Sequence, residues 1–315
     1  MPIDLAVIRT AHARIRDKIH RTPVLTSRLL DEACGAQLFF KCENFQKIGA
    51  FKARGATNAV FALSAAEAAR GVATHSSGNH AAALARAARL RGIPAHIVMP
   101  ADSSRVKLDA VRGYGGRVIL CAPTLQAREE TCARVLAETG AAFVHPYNDY
   151  RVMAGQGTAA LEMLEDVPGL DLVLAPVGGG GLLSGTAVAA KEFRPGIRVV
   201  AVEPEQADDA RQSFLGGQIV PARSNTIADG LRTSLGELNF PIIRAKVDDI
   251  VTVSEAAIVA AMRRIWTTMK IIIEPSGAVP YAAVAENKLA VAGLRVGIIL
   301  TGGNVDLDLL PWLKP

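Results

Sequence analysis

Apolar positions along this chain fall into short runs divided by polar, Gly-rich turns, and their spacing switches between two periods. Leu5, Ile8, Ile15 and Ile19 recur at three-, four- and seven-residue intervals, which predicts an opening helix ended by Pro23. A strand is expected over Gln37–Cys42, before the polar loop Glu43–Gly49. The text then alternates: strand Gly71–Ser76, helix His80–Arg91, strand Ala95–Met99, a helix including Arg105–Tyr114, strand Arg117–Cys121, helix Leu125–Thr139 and a short strand Ala142–Val144. It resumes with strand Leu172–Val177, helix Leu182–Phe193, strand Arg198–Glu203 and a late strand Arg295–Leu300. Alternation at this spacing predicts an α/β fold of two open parallel-sheet lobes flanked by helices. The turn-rich stretch His145–Gly157 is the expected crossing between the lobes. Open parallel sheets bind ligands beyond the carboxyl ends of their strands, and several Gly-rich turns fall at such ends.

Composition narrows the class. Half of the 315 residues are hydrophobic, 21% are charged and only 5% are aromatic, which suits layered packing and gives little support to base-stacking nucleic-acid modules. The net charge of +5 is scattered, with no basic run that marks a tail. Cys34, Cys42, Cys121 and Cys132 lack metal-ligand spacing and read as buried small residues in a reducing compartment. Asp4 and Arg9 interrupt the stretch a signal peptide needs apolar, and no run is long enough to span a membrane. A soluble, cytoplasmic protein with a small-molecule ligand is expected, without nucleic-acid or membrane partners.

Four segments carry chemistry. Lys52 lies in GAFKARGA among small residues, where a lysine amine could be kept dry and reactive; alone, it is better explained as a surface charge. Ser76-Ser77-Gly78-Asn79-His80 joins a strand to a helix, where main-chain N–H groups make a carboxylate site or merely a helix cap. Gly178-Gly179-Gly180-Gly181 occupies a second strand-to-helix turn, and four glycines let main-chain amides close around a phosphate. From Gly179 the text also runs Gly-x-Gly-x-x-Ser, with Glu203 ending the next strand. That outline keeps a nicotinamide-dependent dehydrogenase open. Thr301-Gly302-Gly303-Asn304 follows the last strand, and its hydroxyl could meet a ring nitrogen or simply close a turn.

Together these segments resemble the fold-type II pyridoxal phosphate enzymes, in the branch of serine/threonine dehydratases, serine racemases and 3-hydroxyaspartate dehydratases. KCENFQKIGAFKARGA, THSSGNHAAALA, AGQGTAALE, PVGGGGLLSG, EPEQADDA, TIADGLR, IEPSGA and TGGNVDL occur in family order over nearly the whole chain. The resemblance implies pyridoxal 5′-phosphate as cofactor, with Lys52 as its Schiff-base lysine and Phe51 beside the ring. It implies Asn79 at the ring hydroxyl, Gly178, Gly179, Gly180 and Gly181 with Leu182 around the phosphate, Thr301 at the ring nitrogen, and Gly230 and Glu274 lining the pocket. Ser76, Ser77, Gly78 and His80 would close over the substrate carboxylate, and Ser77 matches the second acid–base group of racemases. A divalent cation, Mg²⁺ or Ca²⁺, would be held by Glu203, the carbonyl of Ala207, and Asp209. Residues 1–48 and 145–315 would form a large cofactor-binding domain and 49–144 a small substrate-closing one, in a homodimer.

The implied reaction is β-elimination of water from serine or threonine, giving a keto acid and ammonia. A hydroxyl at Thr301 would not keep the ring nitrogen protonated, so charge is passed out by expelling the β-hydroxyl. Serine racemisation and 3-hydroxyaspartate dehydration are the alternatives, the latter using Arg128 or Arg232 for a second carboxylate. Tyr147, in HPYND, is placed in the substrate region. Two departures stand out: Ala81-Ala82 replaces a common Gly-Gln, which argues against nucleotide activation, and Thr301 stands where Ser is commoner.

Overall fold

The computed structural model describes residues 3–222 and 225–313. The first half runs α1 (Leu5–Ile15), β1 (Val24–Leu25), α2 (Arg28–Cys34), β2 (Gln37–Cys42), α3 (Lys52–Phe61), α4 (Ala65–Ala69), β3 (Val72–His75), α5 (Asn79–Arg91), β4 (Ala95–Pro100), α6 (Arg105–Gly113), β5 (Arg117–Cys121), α7 (Leu125–Thr139) and β6 (Ala142–Phe143). It continues with α8 (Tyr150–Asp166), β7 (Leu172–Pro176), α9 (Gly181–Phe193), β8 (Arg198–Pro204), α10 (Asp209–Gly216), α11 (Phe240–Lys246), β9 (Asp249–Val253), α12 (Glu255–Met269), α13 (Pro275–Ala285) and β10 (Arg295–Leu300).

Two sheets result. The larger has the order β1-β2-β10-β7-β8-β9, parallel apart from the antiparallel edge pair β1–β2. The smaller, β5-β4-β3-β6, is wholly parallel. Side chains of the large sheet alternate between two cores. Leu172, Leu174, Val200 and Val202 pack with α12 and α13, while Val173, Ala175, Val199 and Ala201 pack with α8 and α9. Burial on both faces explains why these strands read as continuous apolar runs.

The expected crossing at His145–Gly157 is only partly a turn. Asp149 caps α8, its Oδ1 accepting the Arg151 N–H at 2.8 Å, and from Tyr150 the chain is helical. Gly155 and Gly157 are contact points, not breakers. A Cβ on Gly155 would lie 2.6 Å from Gly55 Cα on α3, and one on Gly157 would lie 2.8 Å from Gly185 O on α9. Glycines that admit a neighbouring helix look like turn residues in the sequence, because both uses exploit the missing side chain. The four cysteines are free thiols, and three are buried.

Candidate active site

The carboxyl ends of β3, β7 and β10 converge on one cavity of about 700 Å³, lined from both sheets. Lys52, Phe51, Ser76 to His80, Arg128, Tyr147, Gly178 to Leu182, Gly230, Glu274 and Thr301 all border it. Glu203, Ala207 and Asp209 lie outside it.

Lys52 opens α3, and its position is set from the large sheet. Phe51 N–H donates to Thr301 O at 2.9 Å, and Ala50 bridges Gly302. The left-handed backbone at Ile48 (φ 60°) and Gly49 (φ 70°) turns the chain into this contact. Lys52 Nζ donates to Pro146 O at 2.8 Å. Burial lowers its pKa to about 8, against a smaller opposing pull from Glu274. Below about 8 the folded protein must therefore carry a charge that burial disfavours; this penalty disappears as pH rises towards 10.5, where the unfolded lysine also becomes neutral. Urea midpoints of the cofactor-free protein should accordingly carry a stabilising contribution that grows from pH 8 to 10, and Lys52→Met should lack it. Identical pH profiles for the two proteins would contradict the depressed value.

The Ser76–His80 loop leads into α5 with Gly78 as N-cap and no side chain capping the helix. The Asn79 and His80 N–H groups therefore remain available to an anion, while that of Ala81 donates to Gly78 O at 3.0 Å. His80 is buried; its Nε2 bonds Val144 O at 3.1 Å, and Nδ1 has no partner among the described residues. Burial, reinforced by Lys52, lowers its pKa to about 3, so the ring is neutral. Asn79 donates to both oxygens of Glu274, at 3.0 and 3.2 Å, and accepts from Asn304 Nδ2 at 2.8 Å. Burial, with Asp229 nearby, raises Glu274 to about 7. Asn304 is a site residue to which the sequence alone gives no role, although TGGN contains it.

The glycine loop is tight for reasons beyond a phosphate. A Cβ on Gly179 would lie 2.3 Å from the Tyr147 ring, one on Gly178 would lie 2.9 Å from Leu231 Cα, and Gly180 has φ 92°. Tyr147 thus forms a wall of the cleft against this loop. The next residues open α9 with no side-chain cap, a second free helix N-terminus facing the cavity. His145, another residue whose role no sequence motif marks, accepts the Tyr147 and Asn148 N–H groups on Nδ1 at 3.2 and 2.9 Å. Burial, then His75 and Lys52, lowers its pKa to about 4.

Thr301 Oγ1 is buried without a hydrogen-bond partner among the described residues. Both arginines that could serve a second carboxylate border the cavity, and their hydrogen-bond partners separate them. Arg232 is exposed and donates Nε and Nη2 to Thr226 O at 2.8 and 2.5 Å. Arg128 is half-buried in the cavity wall, and no hydrogen bond or ion pair engages its guanidinium among the described residues.

Glu203 is the penultimate residue of β8, but its carboxylate accepts the N–H groups of Ala210 (3.2 Å) and Arg211 (2.6 Å) on α10. Both oxygens are thus engaged by α10 and the side chain does not border the cavity, so Glu203 is not offered there as the acid of a dinucleotide site. Asp209 stands at the start of α10, with Oδ2 buried and unpartnered among the described residues. Burial raises Glu203 to about 9 and Asp209 to about 7. No group of three or more His, Cys, Asp or Glu side chains suited to a metal occurs among the described residues.

A lysine amine and two open helix N-termini facing one cleft between two open sheets make this a two-lobed α/β enzyme. The chain belongs to the pyridoxal-phosphate dependent enzymes, whose family model matches residues 15–302. It is 57% identical over 303 residues to a β-hydroxyaspartate dehydratase of Paracoccus denitrificans, covering 96% of each chain. It is 52% identical to a serine racemase of Arabidopsis thaliana, covering 98% of this chain and 95% of the relative. The structure of maize serine racemase superposes with a TM-score of 0.96 at 49% identity, over 100% of this chain and 97% of that one. The fold is that of the fold-type II branch, and the nicotinamide alternative falls with the family assignment. No helix among the described residues is long and apolar enough to cross a membrane.

Proposed function

We propose that this enzyme eliminates water from 3-hydroxyaspartate, giving a keto acid and ammonia, and that Arg128 binds the second carboxylate. The observation that carries this reading over serine or threonine is the half-buried guanidinium of Arg128 in the cavity wall, unpartnered among the described residues. An arginine there without a counter-charge suits the second carboxylate of 3-hydroxyaspartate, which its planar fork can bind through two hydrogen bonds. Similarity to the Paracoccus dehydratase supports the same choice.

The residues present fit pyridoxal phosphate: an amine of depressed pKa, an uncapped helix behind four glycines, and the orphan hydroxyl of Thr301. When bound, the cofactor supplies an electron sink for charge developing at the substrate Cα. Lys52 would hold it and take the Cα proton, for which a pKa near the working pH is suited. The N–H groups of Gly178 to Leu182 would hold its phosphate, and Phe51 and Thr301 would hold its ring. Asn79, oriented by Glu274 and Asn304, would bind its ring hydroxyl. The α5 N-terminus, with Ser76, Ser77 and Gly78, binds the α-carboxylate, while neutral His80 keeps competing charge out of the loop. Tyr147 and Gly230 bound the substrate space.

Keto-acid release should be fastest with 3-hydroxyaspartate. Arg128→Met should lower its kcat/KM by about 10- to 150-fold, the worth of one charged hydrogen-bonding interaction, and leave serine turnover nearly unchanged. Equal losses for both substrates, or a wild-type preference for serine, would return the reading to a serine/threonine dehydratase.

A divalent cation is also inferred at Glu203, Ala207 O and Asp209. Two buried acids with an unpartnered oxygen form an oxygen donor set that waters could complete for Mg²⁺ or Ca²⁺. Millimolar Mg²⁺ or Ca²⁺ should raise the Tm, EDTA should reverse the gain, and Glu203→Gln should abolish the response. A Tm insensitive to both cations in the wild type would count against the site.

A further inference from the structure

The largest fully buried side chain, Arg54, lies two residues after Lys52 and has no part in the chemistry above. Residues two apart on a helix point to nearly opposite sides, so Arg54 leaves α3 away from the cleft that Lys52 enters. All three of its nitrogens meet acceptors on the large-sheet side. Nε and Nη2 clasp Glu43, just past β2, at 2.7 and 2.8 Å. Nη1 and Nη2 clasp Glu162 of α8 at 2.9 and 2.7 Å, and Nη1 also reaches Thr158 Oγ1 at 3.1 Å. Lys41 of β2 completes the cluster, donating to Glu162 at 2.8 Å and to Thr22 O at 2.7 Å. Thr22 Oγ1 in turn donates to Glu43 at 2.5 Å.

Arg54, Lys41, Glu43 and Glu162 are all at most 1% exposed, and their formal charges cancel. Such a cluster is a weak source of stability, because desolvating four ions offsets most of their attraction and an apolar core could replace them. What it provides is a single geometry: a planar fork held by two carboxylates on different elements does not tolerate rotation or sliding of its helix. The same turn is fixed a second way, Gly55 N–H donating to Gln156 Oε1 at 3.1 Å where the backbones of α3 and α8 touch. On its other flank Lys52 is held through Phe51 N–H to Thr301 O.

We propose that Arg54 is a positioning residue for Lys52: the Glu43–Arg54–Glu162 clasp sets the rotation and height of α3's first turn, and so where the lysine amine meets cofactor and substrate. The proposal rests on Lys52 being the cofactor lysine. An error of about 1 Å at a reacting group costs on the order of 100-fold in rate, so loosening the clasp should act on turnover before it acts on binding.

The test uses the holoenzyme with Arg54→Lys, which keeps the charge but loses the fork, and Glu43→Gln, which keeps the shape but loses one charge. Both should keep the far-ultraviolet circular dichroism of the wild type. Their kcat should fall by about 10- to 100-fold with KM within about twofold. The visible circular dichroism of the bound cofactor should weaken as the lysine loses its fixed setting. Folded variants with wild-type kcat and visible dichroism would overturn the proposal, as would a loss of activity matched by the unfolded fraction. If neither of these variants folds, Thr158→Val removes one acceptor of the clasp. A fall in kcat of about threefold or more at constant KM supports the clasp, and wild-type kinetics with unchanged visible dichroism overturn it. A wild-type protein that binds no pyridoxal phosphate would instead remove the Lys52 reading itself, a failure visible before any variant is made.

Discussion

Lys52→Ala is expected to abolish turnover, lowering kcat by at least about 10⁴-fold, because the amine both holds the cofactor and moves the Cα proton. The same variant should lack the absorbance near about 410–420 nm that pyridoxal phosphate gives when joined to a lysine. Wild-type protein mixed with the cofactor should develop that band as pH rises through about 8, since only the neutral amine reacts. The measurement is a visible spectrum of each protein before and after substrate. A band of normal strength in Lys52→Ala would move the cofactor to another lysine. Lys41, also buried, is bound to Glu162 and Thr22 O and does not border the cavity.

Gly185→Ala should destabilise the fold by about 3 kcal/mol, a large effect for one added methyl group. In an open helix interior the same change would be worth about 0.5–1 kcal/mol in the stabilising direction. At Gly185 the added Cβ would lie 2.4 Å from Met153 O and 2.6 Å from Gly157 N, both main-chain atoms of α8. Relief requires moving one helix from another, and overpacking of this kind costs about 1–3 kcal/mol before the lost helix contact is counted. Gly113, at the end of α6, would place an added Cβ with nothing within 4 Å and serves as the comparison. Urea unfolding should show a large drop in midpoint for Gly185→Ala and little change for Gly113→Ala. Equal midpoints would mean that α8 and α9 adjust to the methyl group without strain.

The stability and activity predictions meet on α8. This helix carries Gly155 against α3, Gly157 against Gly185 of α9, and Glu162 in the Arg54 clasp. It is the element through which packing in the large lobe reaches the lysine. It is also the element the sequence disguised, because its glycines mark it as turn-rich. The strands at Gln37–Cys42, Arg117–Cys121 and Arg295–Leu300 and the helix at Leu125–Thr139 lie where the apolar pattern puts them. Buried parallel strands and amphipathic helices carry their signal in consecutive residues, so a local reading suffices. β9, which no motif marked, is a half-buried edge strand of five residues, too short for a period to register.

For the site, order along the chain was enough to bring Lys52, Asn79, the Gly178–Gly181 turn and Thr301 to strand ends, and the fold then gathers them around one cavity. That follows from physics visible in the text: in parallel sheets the turns after the strands share one edge. Which arginine is free, Arg128 or Arg232, was not legible, because freedom depends on whether a carbonyl such as Thr226 O lies within reach. Nor was the need for Gly179, which comes from the Tyr147 ring packed against it. The clasp on Arg54 joins residues 11 and 108 positions apart. The sequence by itself determined the element types wherever the apolar period is unbroken, the parallel sheets and the residues able to do chemistry, because each is encoded in neighbouring positions. Only the tertiary structure decided which charges are paired, which glycines admit another backbone and what holds the lysine in place, because those depend on atoms brought together from distant parts of the chain.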